Sequence, residues 1–165
     1  MKPESRIYYA EASGNYYLRL VGDVRVTFCT TLKAYLTQLF RAEHINSVVV
    51  DLRQARAVDS TTLGLLAKLA IYVQGQFELS PLLVVSDPSM IRLIESMGLD
   101  DIFRLSDDFE KVEVSALSEL DFMSADTEQA RDEVIEAHKT LMGMNSKNML
   151  VFADLVKGLE GEKES

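Results

Sequence analysis

Val48-Val49-Val50-Asp51-Leu52-Arg53-Gln54-Ala55-Arg56-Ala57-Val58-Asp59-Ser60-Thr61-Thr62-Leu63-Gly64-Leu65-Leu66 is the stretch whose reading decides the fold. It opens on an apolar β-branched run, Ser47 to Leu52, with no polar alternation. Such a run suits a strand covered on both faces, as in a parallel sheet. It closes on a helix starting near Ser60, with Leu63, Leu66, Ala67, Ala70 and Ile71 as a wide apolar stripe. Between them, Asp59, Ser60, Thr61 and Thr62 place a carboxylate and three hydroxyls where a helix start leaves backbone amides without acceptors. Taken alone, a strand leading into a capped helix is common to most α/β proteins.

Upstream, Ile7 to Glu11 and Tyr16 to Val21 read as two strands around a Ser13-Gly14-Asn15 turn, a β-hairpin closed by Gly22-Asp23. Phe28, Leu32, Tyr35, Leu36 and Leu39 fall at helical spacing, which predicts a helix from about Thr27 to Arg41. Downstream, Pro81 to Val85 is another buried strand. Asp87-Pro88-Ser89 opens a helix that Gly98 ends, since proline in a first turn has no amide hydrogen to waste. Ile102 to Leu105 reads as a short strand, and Asp107 or Asp108 as the cap of a helix to about Leu120. The expected class is α/β: a mostly parallel sheet with an N-terminal β-hairpin and helical cover.

The chain beyond Asp121 has no strand signal. Val134, Ala137 and Leu141, then Met149, Phe152, Val156 and Leu159, repeat at helical spacing around Gly143. They predict two amphipathic helices, or one interrupted at Gly143, whose apolar sides pack on the domain or form a binding or dimerisation arm. Glu160 to Ser165 reads as a charged, frayed end. The expected organisation is a domain over 5–120 and a C-terminal helical extension over 121–165.

Bulk properties restrict the function. The 165 residues carry a formal net charge of -9. That field repels phosphate backbones and anionic membrane surfaces, so neither nucleic acid nor membrane is an expected partner. Cys29 is the single cysteine and reads as a small buried apolar residue. His44 and His138 lack metal-ligand spacing and read as surface or helix-end residues, so neither metal nor cofactor is expected. No apolar signal core follows Met1 to Arg6, and Lys68 breaks the longest apolar run, which points to a cytoplasmic protein.

The central stretch resembles the STAS domain of anti-sigma-factor antagonists. Asp51-Leu52, Val58-Asp59-Ser60-Thr61 and Leu63-Gly64-Leu65-Leu66 match its signature in order and spacing. The likeness extends from about Ile7 to Leu120, through Leu20 to Val24, Pro88, Arg92-Leu93, Gly98-Leu99 and Ile102-Phe103. It implies a non-enzymatic anti-sigma-factor antagonist in a partner-switching system. The unphosphorylated form would bind an anti-sigma factor or serine kinase, phosphorylation at Ser60 would release it, and a serine phosphatase would reset it. Asp23, Arg25, Asp59, Thr61, Thr62 and Gly64 are the implied partner-binding residues. Thr62 stands where the family usually has glycine and Arg25 where many members carry aspartate, departures that bear on partner choice. The alternative is a STAS subunit of a lipid-transport or sensory scaffold complex without phosphoswitching. A hydrolase built on Ser60 lacks a Gly-x-Ser-x-Gly elbow, and neither histidine has an evident pairing to it in sequence. No Walker-type phosphate loop is present.

Physics alone makes a switch at Ser60 workable. A phosphoserine adds a charge of about -1.5 to -2. The helix dipole tolerates it, whereas a partner surface built for a neutral hydroxyl does not. A loss of about 3 kcal/mol weakens binding by more than a hundredfold.

Overall fold

The computed structural model describes residues 5–164; residues 1–4, part of the stretch read for a signal core, and Ser165 lie outside it. The chain opens with β1 (Arg6–Ala12) and β2 (Asn15–Val24), an antiparallel hairpin. Its turn places Ser13 and Gly14 at φ 53° and 81°. Consecutive left-handed residues match the twist of the flanking strands. A 3₁₀ turn, Val26–Phe28, leads into α1 (Cys29–Leu39), shorter at both ends than its apolar spacing predicts. Then follow β3 (Ser47–Asp51), β4 (Ala55–Val58), α2 (Ser60–Phe77), β5 (Leu82–Val84), α3 (Pro88–Ser96) and β6 (Arg104–Ser106).

The sheet runs β6-β5-β3-β2-β1-β7, where β7 is Ser118–Glu119, with β4 paired to β2 off this path. The β2–β3, β2–β4, β3–β5 and β5–β6 pairings are parallel. The α/β class and mostly parallel sheet expected from sequence are therefore found, with β3 central between β2 and β5. Val48, Val50 and Leu52 are buried, and they join Leu18, Leu20, Leu32, Leu36, Leu63, Leu66 and Ala70 in one core.

Three expectations need correction. Gly22-Asp23 does not close the hairpin: β2 continues to Val24, with an irregularity between Gly22 and Asp23, and pairs with β4. A bulge lets a strand bend without losing its partner. The strand expected over Ile102 to Leu105 starts later, at Arg104, because Leu99–Asp101 forms a 3₁₀ turn. The helix expected from Asp107 to about Leu120 does not form. That segment is largely irregular, with a 3₁₀ turn at Val114–Ala116 and β7 (Ser118–Glu119) pairing with β1.

The reason lies on the opposite face of β2. Tyr17 and Arg19 are buried there. Arg19 donates to the Val112 carbonyl at 2.6 Å, and Arg53 donates to the Phe109 carbonyl at 3.1 Å. Backbone oxygens that a buried guanidinium, Arg19, and a half-buried one, Arg53, take as acceptors are withdrawn from a helix. The segment is a strap over a buried polar face.

After the strap come α4 (Thr127–Met142) and α5 (Ser146–Glu164), two helices divided at Gly143-Met144-Asn145. Asp126 caps α4 by accepting from the Gln129 amide at 2.7 Å. The hairpin of helices packs on the domain: Ala137, Leu141 and Phe152 belong to the same core cluster as the sheet. Val156 is buried too, whereas Met149, expected on the same buried face, is 47% exposed. The helix continues to Glu164, through most of the end read as frayed.

Candidate functional site

Asp59 organises the start of α2. Its Oδ1 accepts from the Thr62 amide at 2.9 Å, and its Oδ2 accepts from the Val26 amide at 2.7 Å. One carboxylate thus caps α2 and fixes the turn ahead of α1. Thr62 is buried, and its hydroxyl donates to the Val24 carbonyl at 2.9 Å. A hydroxyl at this position therefore joins the helix to the end of β2, a bond that glycine cannot make. Thr61 is buried as well. Asp23 is half-buried and pairs with Arg56 at 2.9 Å, and Arg25 is exposed beside it in the loop leaving β2.

Ser60 occupies the first position of α2 and is half-buried. Its Oγ lies 2.7 Å from Nε2 of His138, on α4. Nδ1 of the same ring lies 2.8 Å from the Val134 carbonyl. A carbonyl only accepts, so in the neutral imidazole Nδ1 carries the hydrogen and Nε2 accepts from the Ser60 hydroxyl. This corrects two expectations at once. His138 is not a surface or helix-end residue but is 2% exposed in the body of α4, and it does pair with Ser60. Phe152 of α5 packs edge-on against the same ring, with centroids 4.9 Å apart.

The helices meet closely because Gly64 has no side chain. A Cβ there would lie 2.4 Å from the Ala137 carbonyl oxygen and 2.9 Å from the Ala137 Cβ. Gly64 is therefore covered by α4. Around this contact, Glu133 of α4 is buried and accepts from the Thr30 hydroxyl at 2.7 Å and the Cys29 thiol at 3.2 Å. Burial, reinforced by the neighbouring Glu133, pushes the Cys29 thiol up to about 12, so it stays protonated at neutral pH. Glu136 pairs with Lys33 of α1 and Lys68 of α2.

A second polar cluster sits at the C-terminal end of β3. Asp51 is buried, accepts from the Tyr17 hydroxyl at 2.5 Å and receives Arg53 through both carboxylate oxygens. Burial alone pushes the Asp51 carboxyl up. The hydrogen bonds from Arg53 and Tyr17 more than reverse that and hold it below its ordinary value. Its work is to secure the strap. A cavity of about 510 Å³, walled by Tyr9, Tyr16, Tyr35, Leu120 and Met123, lies between the β-hairpin and α1, away from Ser60.

Sequence reasoning named Ser60 and Asp59 but missed His138 and Glu133. A signal existed: His138 falls on the stripe of Val134, Ala137 and Leu141, which predicts its burial. Nothing in the sequence pointed from that stripe to Ser60.

A strand, a capped serine and a helix in this sheet order now have a counterpart. The STAS domain model matches residues 7–112. The chain belongs to the STAS domain family. No curated protein matches the chain. Solved structures that share the fold include two of one protein. The first is the anti-sigma factor antagonist SpoIIAA in its unphosphorylated form, with TM-score 0.52 and 12% identity over 64% of this chain and 90% of that one. The second is the Bacillus cell fate determinant SpoIIAA in the phosphorylated form, with TM-score 0.50 and 13% identity over 62% of this chain and 91% of that one. The STAS model ends before α4, so the element that contacts Ser60 lies beyond the matched residues. Among the described residues no helix is long and apolar enough to cross a membrane.

Proposed function

We propose that this STAS protein is an anti-sigma-factor antagonist that works by partner switching, with Ser60 as its phosphorylation site. The observation that carries the reading is a serine at the first position of α2, capped by the preceding Asp59, within a STAS fold. The fold likeness to an anti-sigma factor antagonist known in unphosphorylated and phosphorylated forms supports it. The dipole of α2 favours negative charge at that position, so the domain accepts the phosphate while a docked partner does not.

The partner is an anti-sigma factor or serine kinase, and a serine phosphatase reverses the modification. Arg25 and Asp23, at the loop beside the start of α2, are the proposed contacts available without rearrangement; Asp59, Thr61, Thr62 and Gly64 support or lie beneath that surface. The protein acts by binding and carries out no reaction, and its place is the cytoplasm. The hydrogen bond from Ser60 to His138 is the feature that favours the other reading, a scaffold subunit that is never phosphorylated.

Phosphosite mapping of the protein from its native cell separates the two, combined with capture of partners by wild type, Ser60→Ala and Ser60→Asp. The expected result is phosphate on Ser60 and a kinase retained by Ser60→Ala but lost by Ser60→Asp. Phosphate on Thr61 or Thr62 with Ser60 bare, or equal capture by both variants, overturns the proposal.

A further inference from the structure

We infer that the α4–α5 hairpin is an occupant in cis of the Ser60 face of α2, and that its docking and a phosphate on Ser60 exclude one another. The inference deepens the reading of Ser60 as a phosphosite and rests on it for its biological use, though not for its test.

Three observations carry it. The Ser60 hydroxyl is covered on the side of α4: Oγ is 2.7 Å from an imidazole that is itself 2% exposed and packed against Phe152, while Ser60 as a whole is half-buried. Next, α4 crosses α2 in backbone contact at Gly64, one helical turn from Ser60, so the hairpin cannot shift slightly to admit a larger group. Finally, the residue before the serine is a carboxylate, Asp59, and the group facing the Ser60 hydroxyl is a buried imidazole with its other nitrogen already bonded to the Val134 carbonyl. A phosphate brings about two further negative charges and three oxygens into that space.

The docked hairpin is held mainly by apolar contacts, Ala137, Leu141 and Phe152 in the core, rather than by charge. Its ion pairs, Glu136 with Lys33 and Lys68, are half-exposed, the kind that contribute little to stability. The linker ahead of α4 is exposed but tethered. The Thr31 hydroxyl accepts from the Met123 amide at 2.9 Å, and Phe122 packs edge-on against Phe28. An undocked hairpin would stay close to the domain through that tether. In the closed state α4 covers one side of Ser60, so the unmodified protein binds its partner through the fraction in which the hairpin is undocked, and hairpin and partner compete for the start of α2. Phosphate keeps both off, and dephosphorylation restores the competition.

The test needs no kinase. Cys29 is the single cysteine, it is buried, and its thiol bonds to Glu133 of the hairpin, so its labelling by N-ethylmaleimide reports undocking. Full-length protein is prepared unmodified and with phosphoserine installed at position 60 by genetic-code expansion. Ala137→Glu, which alters only the hairpin, and Gly64→Ala, which wedges the contact from α2, serve as opened references. Hydrogen exchange of β3 and β5 checks that each protein keeps its sheet.

The phosphoserine protein is expected to label at least about tenfold faster than the unmodified one, as sub-global opening does, with β3 still protected. Fast exchange of the α2 and α4 amides should accompany it. Labelling at the unmodified rate while either reference labels fast overturns the exclusion. Slower labelling, as an imidazolium–phosphate latch would give, overturns it as well. Slow labelling and unchanged exchange in both references overturns the hairpin as a separable occupant. None of these results depends on whether cells phosphorylate Ser60, which the phosphosite mapping decides separately.

Discussion

Two late segments of this chain are held on the early domain by buried polar groups, and they are held differently. The strap over 107–113 is fixed by charge: Asp51 accepts from Arg53 through both oxygens, and Arg53 and Arg19 each also donate to a strap carbonyl. The hairpin of α4 and α5 is fixed where it covers Ser60 by neutral donors. A serine hydroxyl meets a histidine, and a hydroxyl and a thiol meet Glu133. The first cluster rests on an ion pair, Asp51 with Arg53, backed by the buried Tyr17 and Arg19. The second hinges on a serine hydroxyl that a kinase can change. An ion pair anchored in the sheet makes a permanent fastening, and a half-buried serine hydroxyl makes a convertible one.

The largest expected effect breaks the permanent side. Asp51→Ala leaves Arg53 and the Tyr17 hydroxyl without their acceptor and should lower unfolding stability by about 3 kcal/mol, read as a fall in the urea midpoint. Amide exchange in the strap should rise with it. A loss no greater than that of an exposed-site alanine substitution would mean that the strap is held by packing alone.

Glu133→Ala comes next. It strands the Thr30 hydroxyl under α4 and removes the acceptor of Cys29, for an expected loss of about 2 kcal/mol. Because this lies on the convertible side, the loss should appear as faster exchange of α4 and α5 before β3 responds. Uniform exchange across the whole protein would show that the two regions open together and would erase the contrast.

Ser60→Ala should cost only about 1 kcal/mol, the bond to a buried imidazole, since Asp59 rather than Ser60 caps α2. Denaturant titration measures it. A loss as large as that of Asp51→Ala would make Ser60 a structural residue first.

The smallest effect concerns pH. Asp51 is held below its ordinary value when folded, so its contribution is fully present above about pH 4 and is lost as pH falls through the lowered folded value. The stability difference between wild type and Asp51→Asn should therefore shrink on acidification below that point. A difference that is constant or grows would mean that the pairing does not favour the charged carboxylate.

Particular residues show where sequence sufficed. Val48 to Val50 demanded cover on both faces, and Pro88 and Gly98 marked the limits of a helix, because backbone sterics and unbroken apolar runs act locally. The stretch from Asp107 to Leu120 failed for the opposite reason. Its helical appearance was overruled by Arg19 and Arg53, 93 and 56 residues away from their carbonyl partners. Ser60 was legible as a capped helix start, and the helical stripe of Val134, Ala137 and Leu141 was legible as a buried face. Which face met which was not.

By itself, then, the sequence determined the α/β class, the central strand, the start of α2 at Ser60 and the helical character of the C-terminal segment. Each follows from period, turn chemistry and capping, which operate within a few residues. Only the tertiary structure decided that α4 lies on α2, that Gly64 admits its backbone and that His138 covers Ser60. The physical reason is that an apolar stripe fixes which side of a helix is buried but not what it is buried against. The choice is made by close packing and by the pairing of buried polar groups across 78 residues of chain.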